Sequence, residues 1–300
     1  MRPLSIAALQ TAPVLRDPEA TLGLLDGRLA GVKALVPHVR LVLLPELHLA
    51  AQPTLLEEQS TYPDEVAVQV PGSLTDALGK LAREHDIWLA AGTVFERAED
   101  GRLHNTALVL SPEGELAARY RKVFPWQPHE ECAPGDRFVT FDIPDTGRIG
   151  LAICYDGNFP EAFRQLAWMG AEVVLQPTLT TTSDRAAELI LARANAIANQ
   201  LYVVNLNASA PAALGRSVIV DPEGLVRAEG GVGEETITDV LDLDVVTRVR
   251  DYGLAGVSRM WDQLLRAGPA IELPAYGGRL QPPPGLAAVA ILPSCGATAR

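Results

Sequence analysis

The sequence predicts an α/β fold in which two β-sheets pack face to face and helices cover their outer faces, giving a four-layer α-β-β-α sandwich. Short apolar runs typical of strands alternate with longer amphipathic runs along the 300 residues. The same order of strand, helix, strand, helix and closing hairpin occurs in both halves, and each hairpin turns through Pro-Glu-Gly, at 112–114 and 222–224. A doubly wound open sheet is the alternative, but its mostly parallel strands would leave the two hairpins unexplained.

The first half of the chain is expected to form the first sheet and its helices. A helix is predicted over 18–35, because apolar residues recur every three or four positions on one face. A second helix is predicted over 74–84, with Ser73 as its N-cap. Strands are predicted for the short apolar runs at 4–10, 41–44, 87–95, 103–110 and 115–121.

The second half repeats this order. Helices are predicted over 160–169 and 183–199, and strands are predicted at 148–153, 172–176, 201–207, 216–220 and 225–228. One domain over 1–265 would therefore hold both sheets. The Gly- and Pro-rich residues 266–300 are expected to form an irregular arm or a disordered tail.

Composition limits the functional class. A net charge of −12 without any basic run argues against a nucleic-acid partner, and no segment approaches the roughly 18 apolar residues of a membrane span. The three cysteines, Cys132, Cys154 and Cys295, form no CxxC pair, which argues against a disulfide framework or a zinc site. Because the N-terminus enters a strand without a signal-like stretch, we expect a cytoplasmic protein that handles small molecules.

Cys154 is the first candidate for chemistry. The apolar run 149–153 ends abruptly at this thiol, and Gly, Asn and Pro follow within 157–160. A strand that stops at a nucleophile and turns sharply into a helix leaves that side chain open to substrate. A buried cysteine that only fills space is the alternative for this residue taken alone.

Two charged residues follow the ends of other predicted strands. Glu46 comes after the apolar run 41–45, where α/β enzymes place reactive groups, and partial burial would suit it to act as a general base. Lys122 follows the strand at 115–121 and precedes apolar and aromatic residues, so its ammonium is expected to pair with a carboxylate. Each has a simpler interpretation, as a solvated loop glutamate and a surface lysine.

A further carboxylate follows Lys122. Glu130 and Glu131 are adjacent in the sequence, and spacing does not say which of them points inward. The five histidines form no pattern with Cys154, so a Cys–His pair of the papain type has little support.

Together these segments resemble the nitrilase superfamily of carbon–nitrogen hydrolases. The resemblance runs from Leu4 to about Tyr252 and rests on Leu-Leu-Pro-Glu at 43–46, Tyr-Arg-Lys at 120–122, and Gly-Leu-Ala-Ile-Cys-Tyr-Asp with Phe-Pro-Glu within 150–161. The residues at 121–130 and around the cysteine are most similar to the aliphatic amidase and formamidase branch. The superfamily fold is the α-β-β-α sandwich.

The resemblance implies a Glu–Lys–Cys triad of Glu46, Lys122 and Cys154, with Glu130 as a second glutamate that binds the substrate amide or orients the lysine. The implied chemistry needs no cofactor and no metal. Glu46 takes the thiol proton and the sulfur attacks a carboxamide carbon. Lys122 and the backbone N–H of Tyr155 hold the oxyanion, and the lysine lowers the thiol pKa by proximity.

The resemblance also implies which residues surround the substrate. The expected set is Trp126, Tyr155, Asp156, Asn158, Gln176 and Thr178. Trp126 would wall the pocket, with Asp156 and Asn158 near its rim, although 156–158 are equally well explained as turn residues. The hydroxyl-rich stretch 176–183 predicts a wetter pocket, which would take a polar amide or one larger than acetamide.

The sequence and its resemblance to the family therefore predict a thiol amidohydrolase that converts a small linear carboxamide to ammonia and a carboxylic acid. The oligomeric state does not follow from the sequence, but the resemblance implies a homodimer or larger homo-oligomer. Nitrilase, N-carbamoyl hydrolase and ω-amidase activities are alternatives that use the same triad. An acyltransferase and a non-catalytic binding protein are alternatives of other classes. The Pro-rich end differs from the long C-terminal extension of the aliphatic amidases, which weakens any carry-over of their hexameric assembly and acyl pocket.

Overall fold

The computed structural model describes residues 1–52, 62–261 and 263. Two six-stranded sheets form the centre of this part of the chain. The first sheet contains, from edge to edge, β12 (Glu235–Asp242), β1 (Pro3–Gln10), β2 (Leu41–Leu43), β3 (Trp88–Arg97), β4 (Leu103–Leu110) and β5 (Leu116–Arg121). The second contains β11 (Val226–Glu229), β10 (Val218–Val220), β9 (Tyr202–Asn207), β8 (Val173–Thr178), β7 (Gly147–Leu151) and β6 (Val139–Ile143).

The described helices are α1 (Pro18–Leu35), α2 (Tyr62–Val66), α3 (Ser73–Glu84), α4 (Pro160–Trp168), α5 (Arg185–Asn199) and α6 (Asp244–Tyr252). Helices α1 and α3 pack on the outer face of the first sheet, and α4 and α5 pack on the outer face of the second. This arrangement confirms the predicted four-layer α-β-β-α sandwich. None of the described helices is long and apolar enough to cross a membrane.

Alternation of side chains along the strands builds the layers. In β1, Ile6 and Ala8 face the second sheet, whereas Ala7 and Leu9 face the helices. Strands that are buried on both faces need apolar side chains at nearly every position, which is why they read as continuous apolar runs. Each fully buried leucine in these layers contributes about 1.5–3 kcal/mol.

Strand direction brings the candidate residues to one edge of the sheets. Strands β1, β2 and β3 are parallel, and β7, β8 and β9 are parallel. Because β5 is separated from β3 by one antiparallel strand, β5 runs in the same direction as β3. The chain therefore leaves β2 just before Glu46, β5 just before Lys122 and β7 just before Cys154, each at the carboxyl end of its strand.

The sequence does not predict β6, β12, α2 or α6. Strand β12 lies at a sheet edge and only Ile237 and Leu241 are buried along it, so its apolar pattern is sparse.

The predicted N-cap of α3 is wrong. The helix begins at Ser73 itself, and the hydroxyl of Thr75 accepts from the backbone N–H of Gly72 at 2.8 Å. The predicted tail 266–300 and Cys295 lie outside the described residues.

Candidate active site

Cys154 lies at a sharp turn between β7 and α4. Ile153 is extended, with φ −124° and ψ 119°, but Cys154 has φ +42°, in the left-handed region that residues with a Cβ rarely adopt. One 3₁₀ turn, Cys154–Asn158, then leads into α4. Such a backbone persists only where its surroundings hold it, and turns of this kind raise a nucleophile above a sheet.

The carboxylate of Asp156 holds this turn from behind. Its Oδ2 accepts from the backbone N–H of Ile153 at 2.8 Å and from the Tyr120 hydroxyl at 2.8 Å, and its Oδ1 accepts from the backbone N–H of Phe124 at 2.9 Å. Burial raises the pKa of Asp156 to about 6, against the lowering effect of these hydrogen bonds. Asp156 thus ties the turn to the segment that follows Lys122.

Gln176 and Asn195 fix the turn from the other side. Gln176 donates to the backbone carbonyl of Cys154 at 2.9 Å, and Asn195 donates to the carbonyl of Gly157 at 2.9 Å. A Cβ at position 157 would lie 2.2 Å from Nε2 of Gln176. Glycine is therefore required at 157 so that the glutamine can reach the cysteine carbonyl.

Lys122 lies between two carboxylates from separate segments. Its Nζ is 2.9 Å from Oε1 of Glu46 and 2.7 Å from Oε2 of Glu130. Asn105 on β4 donates one hydrogen bond to each carboxylate, at 2.8 Å in both cases. The backbone N–H of Trp126 also donates to Glu130 at 2.9 Å. The side chain of Lys122 is only 2% exposed, and its ammonium can be buried because carboxylates pair with it from two sides.

These contacts set the charge states of the cluster. Burial works against the charge of Lys122, but Glu130 and Glu46 outweigh it and raise the pKa of Lys122 well above its usual value. Burial would raise the pKa of Glu130, yet Lys122 and the surrounding donors lower it. The pKa of Glu46 is raised, because its burial and the nearby charge of Glu130 prevail over the lysine. Of the two carboxylates, Glu46 is therefore the stronger proton acceptor.

Cys154 and Glu46 line the same cavity, close enough for the charge of Glu46 to act on the thiol. Burial and the charge of Glu46 raise the pKa of Cys154 well above its usual value, although Lys122 acts in the opposite direction. Lys122 does lower the pKa of the Cys154 thiol, as expected from the sequence. The net pKa is nevertheless raised, because burial and the charge of Glu46 have the larger effect. The resting sulfur is protonated, so attack by sulfur requires simultaneous transfer of its proton to Glu46.

Two cavities open beside the sulfur. The main cavity, of about 370 Å³, is lined by Glu46, Lys122, Glu130 and Cys154 together with Trp126, Phe95 and Thr181. A smaller cavity, of about 60 Å³, is lined by Cys154, Tyr155, Asn158, Thr181 and Glu188. Trp126 lines both, and its ring packs against that of His129 with the centroids 4.3 Å apart and the planes tilted by 38°.

The structure separates the predicted substrate-binding residues into two groups. Trp126, Tyr155 and Asn158 lie on the cavity walls. Asp156, Gln176 and Thr178 are fully buried behind them, and their polar atoms bind the turn or, for Thr178, the amide of Asn207 at 3.1 Å. The placement of Asp156 near the rim is therefore corrected, because three donors draw its carboxylate inward. Gln176 and Thr178 likewise support the wall without lining either cavity.

The two adjacent glutamates also separate clearly. Glu130 holds Lys122, whereas Glu131 is exposed on the lining of the main cavity.

Sequence reasoning missed Asn105, Thr180 and Glu188. Asn105 lies on β4 between two other polar residues, His104 and Thr106, so its polarity alone does not single it out. Thr180 belongs to the hydroxyl-rich stretch 176–183, but nothing there distinguishes it from its neighbours, and nothing in the local sequence sets Glu188 apart from other helix residues. Within the described ranges, no group of three His, Cys, Asp or Glu side chains is placed to hold a metal.

Comparison with known proteins identifies the family and supports the fold. Residues 5–251 match the family model for carbon-nitrogen hydrolases. The omega-amidase NIT2 of Homo sapiens is 33% identical over 205 residues, which are 63% of this chain and 74% of that protein. The crystal structure of Saccharomyces cerevisiae Nit3, a member of branch 10 of the nitrilase superfamily, has a TM-score of 0.75 and 29% identity, with coverage of 83% of this chain and 94% of that chain.

A variant of the amidase from Nesterenkonia sp. AN1 aligns with this chain with a TM-score of 0.72 and 25% identity. The alignment covers 82% of this chain and 92% of the amidase chain. In that structure the acetamide moiety of fluoroacetamide is covalently added at the active-site cysteine. The chain described here belongs to the carbon-nitrogen hydrolase family, within the nitrilase superfamily. It is a hydrolase that acts on carbon–nitrogen bonds other than peptide bonds.

Proposed function

We propose that the protein hydrolyses a small linear carboxamide to ammonia and a carboxylic acid through a thioester on Cys154. The observation that carries this proposal is that Glu46, paired with Lys122 at 2.9 Å, lines the same cavity of about 370 Å³ as the thiol of Cys154. A base, a cation and a nucleophile from three strand ends thus meet where a small substrate can reach them.

In the first half-reaction Glu46 accepts the proton of Sγ while the sulfur attacks the amide carbon. A C–S bond forms, and the carbonyl oxygen becomes an oxyanion that Lys122 and the backbone N–H of Tyr155 stabilise. The oxyanion then collapses and the C–N bond breaks. Glu46 delivers its proton to the nitrogen, and ammonia leaves the thioester.

In the second half-reaction Glu46 accepts a proton from water as the water oxygen attacks the thioester carbon. A C–O bond forms and the C–S bond breaks, and Glu46 returns the proton to the sulfur. The raised pKa of Glu46 suits both directions of transfer. Glu130 keeps Lys122 charged and in place, and its position beside the cavity also suits it to accept from the substrate N–H₂.

The charge of the main cavity favours a substrate whose far end carries no negative charge. Among the described lining residues Lys122 is the only lysine or arginine, and two carboxylates already hold it. Asp64 and Glu131 add further acidic groups to the same lining. A free carboxylate on the substrate would therefore meet more negative than positive charge.

Intact-mass spectrometry during turnover tests the nucleophile. We expect an acyl adduct on the wild-type protein and none on Cys154→Ala, with ammonia release lost in that variant. Cys132→Ala is the matched control, because Cys132 is a second buried thiol on the lining of the main cavity. If Cys154→Ala released ammonia at the wild-type rate, the thioester mechanism would be wrong. If the wild-type protein formed no adduct and released no ammonia from any amide tested, a binding protein on this fold would become the better interpretation.

Three amides with the same three-methylene spacer test the substrate class: pentanamide, 4-aminobutanamide and glutaramate. We expect kcat/KM for the anionic glutaramate to be lower than for the other two by about tenfold, from one unfavourable charge interaction. A preference for glutaramate would instead support the ω-amidase alternative. Nitriles and N-carbamoyl compounds in the same assay test the other two hydrolases, and hydroxamate formed from added hydroxylamine would reveal acyl transfer.

We also propose a cytoplasmic homodimer or larger homo-oligomer. The exposed apolar side chains of Trp168 on α4 and Ile190 on α5, at 62% and 69% exposure, support an interface on these helices. Light scattering coupled to size-exclusion chromatography tests the assembly, and a monomer at micromolar concentration would contradict it.

A further inference from the structure

The main cavity carries more acid than its lysine can balance. Its described lining holds four carboxylates, Glu46, Asp64, Glu130 and Glu131, and Lys122 is the only lysine or arginine on that lining. Lys122 is already shared by Glu46 and Glu130, at 2.9 and 2.7 Å. The charges of Asp64 and Glu131 therefore need a partner other than this lysine.

Of the two remaining carboxylates, Asp64 is paired and Glu131 is not. Arg97, the last residue of β3, forms an ion pair with Asp64. Glu131 is exposed, and within residues 1–52, 62–261 and 263 its side chain has neither a hydrogen bond nor an ion pair. An unpaired carboxylate on the wall of a substrate cavity attracts a cation. Glu131 therefore gives this wall its uncompensated negative charge.

A second acceptor on the same lining lacks a donor. Gln52 is 6% exposed, and its Oε1 has no hydrogen-bond partner in the described part of the chain. A buried amide oxygen without a donor is unfavourable, because it has lost its hydrogen bonds to water. An ammonium group has three N–H donors and no acceptor, so it suits a cavity that offers a carboxylate and an amide oxygen.

The apolar part of the lining suits a methylene spacer. Leu47, Phe95, Leu103 and Leu179 all contribute to the cavity wall. They also pack against one another in one hydrophobic cluster. Methylene groups against such a wall are removed from water, which is favourable. A molecule with a carboxamide at one end, a short methylene chain and an ammonium at the other end would use the sulfur, the apolar wall and the unpaired acceptors together.

We propose that the preferred substrate is a short ω-amino carboxamide, and that Glu131 and Gln52 are specificity-determining residues that bind its ammonium group. The inference rests on the proposed function, in which Cys154 forms a thioester with a carboxamide, and it adds the sign of the charge at the far end of the substrate. Hydrolysis proceeds through the same thioester and yields ammonia and an ω-amino acid.

Three amides of matched length test the inference: 4-aminobutanamide, 4-hydroxybutanamide and pentanamide. In wild type we expect kcat/KM for 4-aminobutanamide to exceed that for pentanamide by about tenfold, from one favourable charge interaction. Glu131→Gln keeps the size of the side chain and removes its charge, so this ratio should fall to about twofold, the part left to hydrogen bonding. Equal values for the two amides in wild type, or a ratio that Glu131→Gln does not change, would overturn the inference.

The hydroxyl compound isolates the contribution of Gln52, because a hydroxyl donates a hydrogen bond without carrying charge. We expect wild type to prefer 4-hydroxybutanamide over pentanamide by about threefold. Gln52→Met removes the amide oxygen and keeps an unbranched side chain, and this preference should then be lost. A preference that persists in Gln52→Met would show that Gln52 does not bind the far end of the substrate.

Glu99→Gln is the matched control for Glu131→Gln. Glu99 is exposed in the turn between β3 and β4 and lines neither cavity beside the sulfur. The substitution removes the same charge from the protein, so the ratio of kcat/KM for 4-aminobutanamide to that for pentanamide should stay at its wild-type value. An equal fall of the ratio in both variants would show an effect of net charge and would contradict the role of Glu131.

Calorimetry on Cys154→Ala measures binding without turnover. We expect a lower Kd for 4-aminobutanamide than for pentanamide, and a smaller difference when Glu131→Gln is added. Ammonia release that does not depend on Cys154 would contradict the proposed function and leave this comparison of Kd values intact. Equal Kd values, or no measurable binding of either amide, would overturn the inference while the thioester mechanism could still be shown by the acyl adduct on wild type.

Discussion

Two buried ion networks flank Cys154, and they differ in how many of their charges are balanced. The first joins Lys122 to Glu46 and Glu130, one cation against two carboxylates. The second joins Arg185 to Glu188, one cation against one carboxylate, with amides and a hydroxyl occupying the remaining positions. Both are nearly excluded from water.

Under the proposed mechanism, this difference separates a reactive network, that of Lys122, from a supporting one, that of Arg185. The excess carboxylate leaves Glu46 with a raised pKa, so Glu46 can accept a proton, and its charge acts on the thiol of Cys154. Glu188 has no such excess, because each of its oxygens has a close partner. A buried charge without a full complement of partners, such as that of Glu46, lowers the stability of the fold but can take part in proton transfer. A balanced buried charge, such as that of Glu188, holds neighbouring groups in position.

The largest effect is expected from Lys122→Arg. Charge is retained, but the larger guanidinium cannot occupy a space fitted to one ammonium 2.9 and 2.7 Å from two carboxylates and still direct a donor to the oxyanion. We expect kcat to fall by about a thousandfold, equivalent to about 4 kcal/mol. Steady-state ammonia release measures this.

Lys80→Arg is the control for that substitution. Lys80 is exposed and pairs with Glu84 four residues later, a contact worth at most about 1 kcal/mol, so activity should be unchanged. If Lys122→Arg retained more than about a tenth of the wild-type kcat, charge alone would suffice at this position and the distinction between the two networks would be weakened.

How far the sequence predicts this site depends on whether a residue's environment is local. Glu46, Lys122 and Cys154 follow apolar strands directly, so strand ends and motif resemblance were enough to find them. Asn105 and Glu188 act through partners 59 and 17 positions away, Glu46 and Asn205, and their roles appear only after folding. The same limit explains Asp156, whose carboxylate bonds to Tyr120 and Phe124 could not be read from the turn sequence.

The fold was more predictable than the pocket for a physical reason. A strand that is buried on both faces shows its character in consecutive residues, because nearly every position is buried, as in β3 and β8. Edge strand β12 buries only part of one face and was missed. Pocket walls are formed where several chain segments meet, so the threonine-rich stretch divides between Thr181 on the wall and Thr178 behind it.

Asp156 is a buried carboxylate of a third kind, to be compared with Glu46 and Glu188. All of its hydrogen-bond partners in the described chain are neutral donors. Its folded-state pKa of about 6 lies above the ordinary 3.8, so ionisation is harder in the folded state. Stability from this group is therefore full below about pH 3.8 and is lost as pH rises toward 6, by about 3 kcal/mol in total. About 1.4 kcal/mol of that loss should fall between pH 5 and pH 8.

Urea unfolding of wild type and Asp156→Asn across this range measures the effect. The stability of wild type relative to the variant should decrease as pH rises, because asparagine does not titrate. Asp142→Asn is the control, since Asp142 is exposed, pairs with Arg148 and has a lowered pKa, and its difference from wild type should be constant above pH 5. A constant difference for Asp156→Asn as well would show that donors balance its charge as fully as Arg185 balances Glu188.

The smallest effect on catalysis is expected from Arg185→Lys, the reverse of the first substitution. Arg185 uses three nitrogens, toward Glu188, the carbonyl of Gly215 at 3.1 Å and the carbonyl of Arg216 at 2.9 Å. A lysine keeps the ion pair but abandons at least one buried carbonyl, at a cost of about 2 kcal/mol. Because charge balance at Glu188 survives, kcat should stay within about threefold of wild type while the urea midpoint falls. A thousandfold loss of kcat with an unchanged midpoint would place Arg185 in the reactive network, and the division between the two networks would then be wrong.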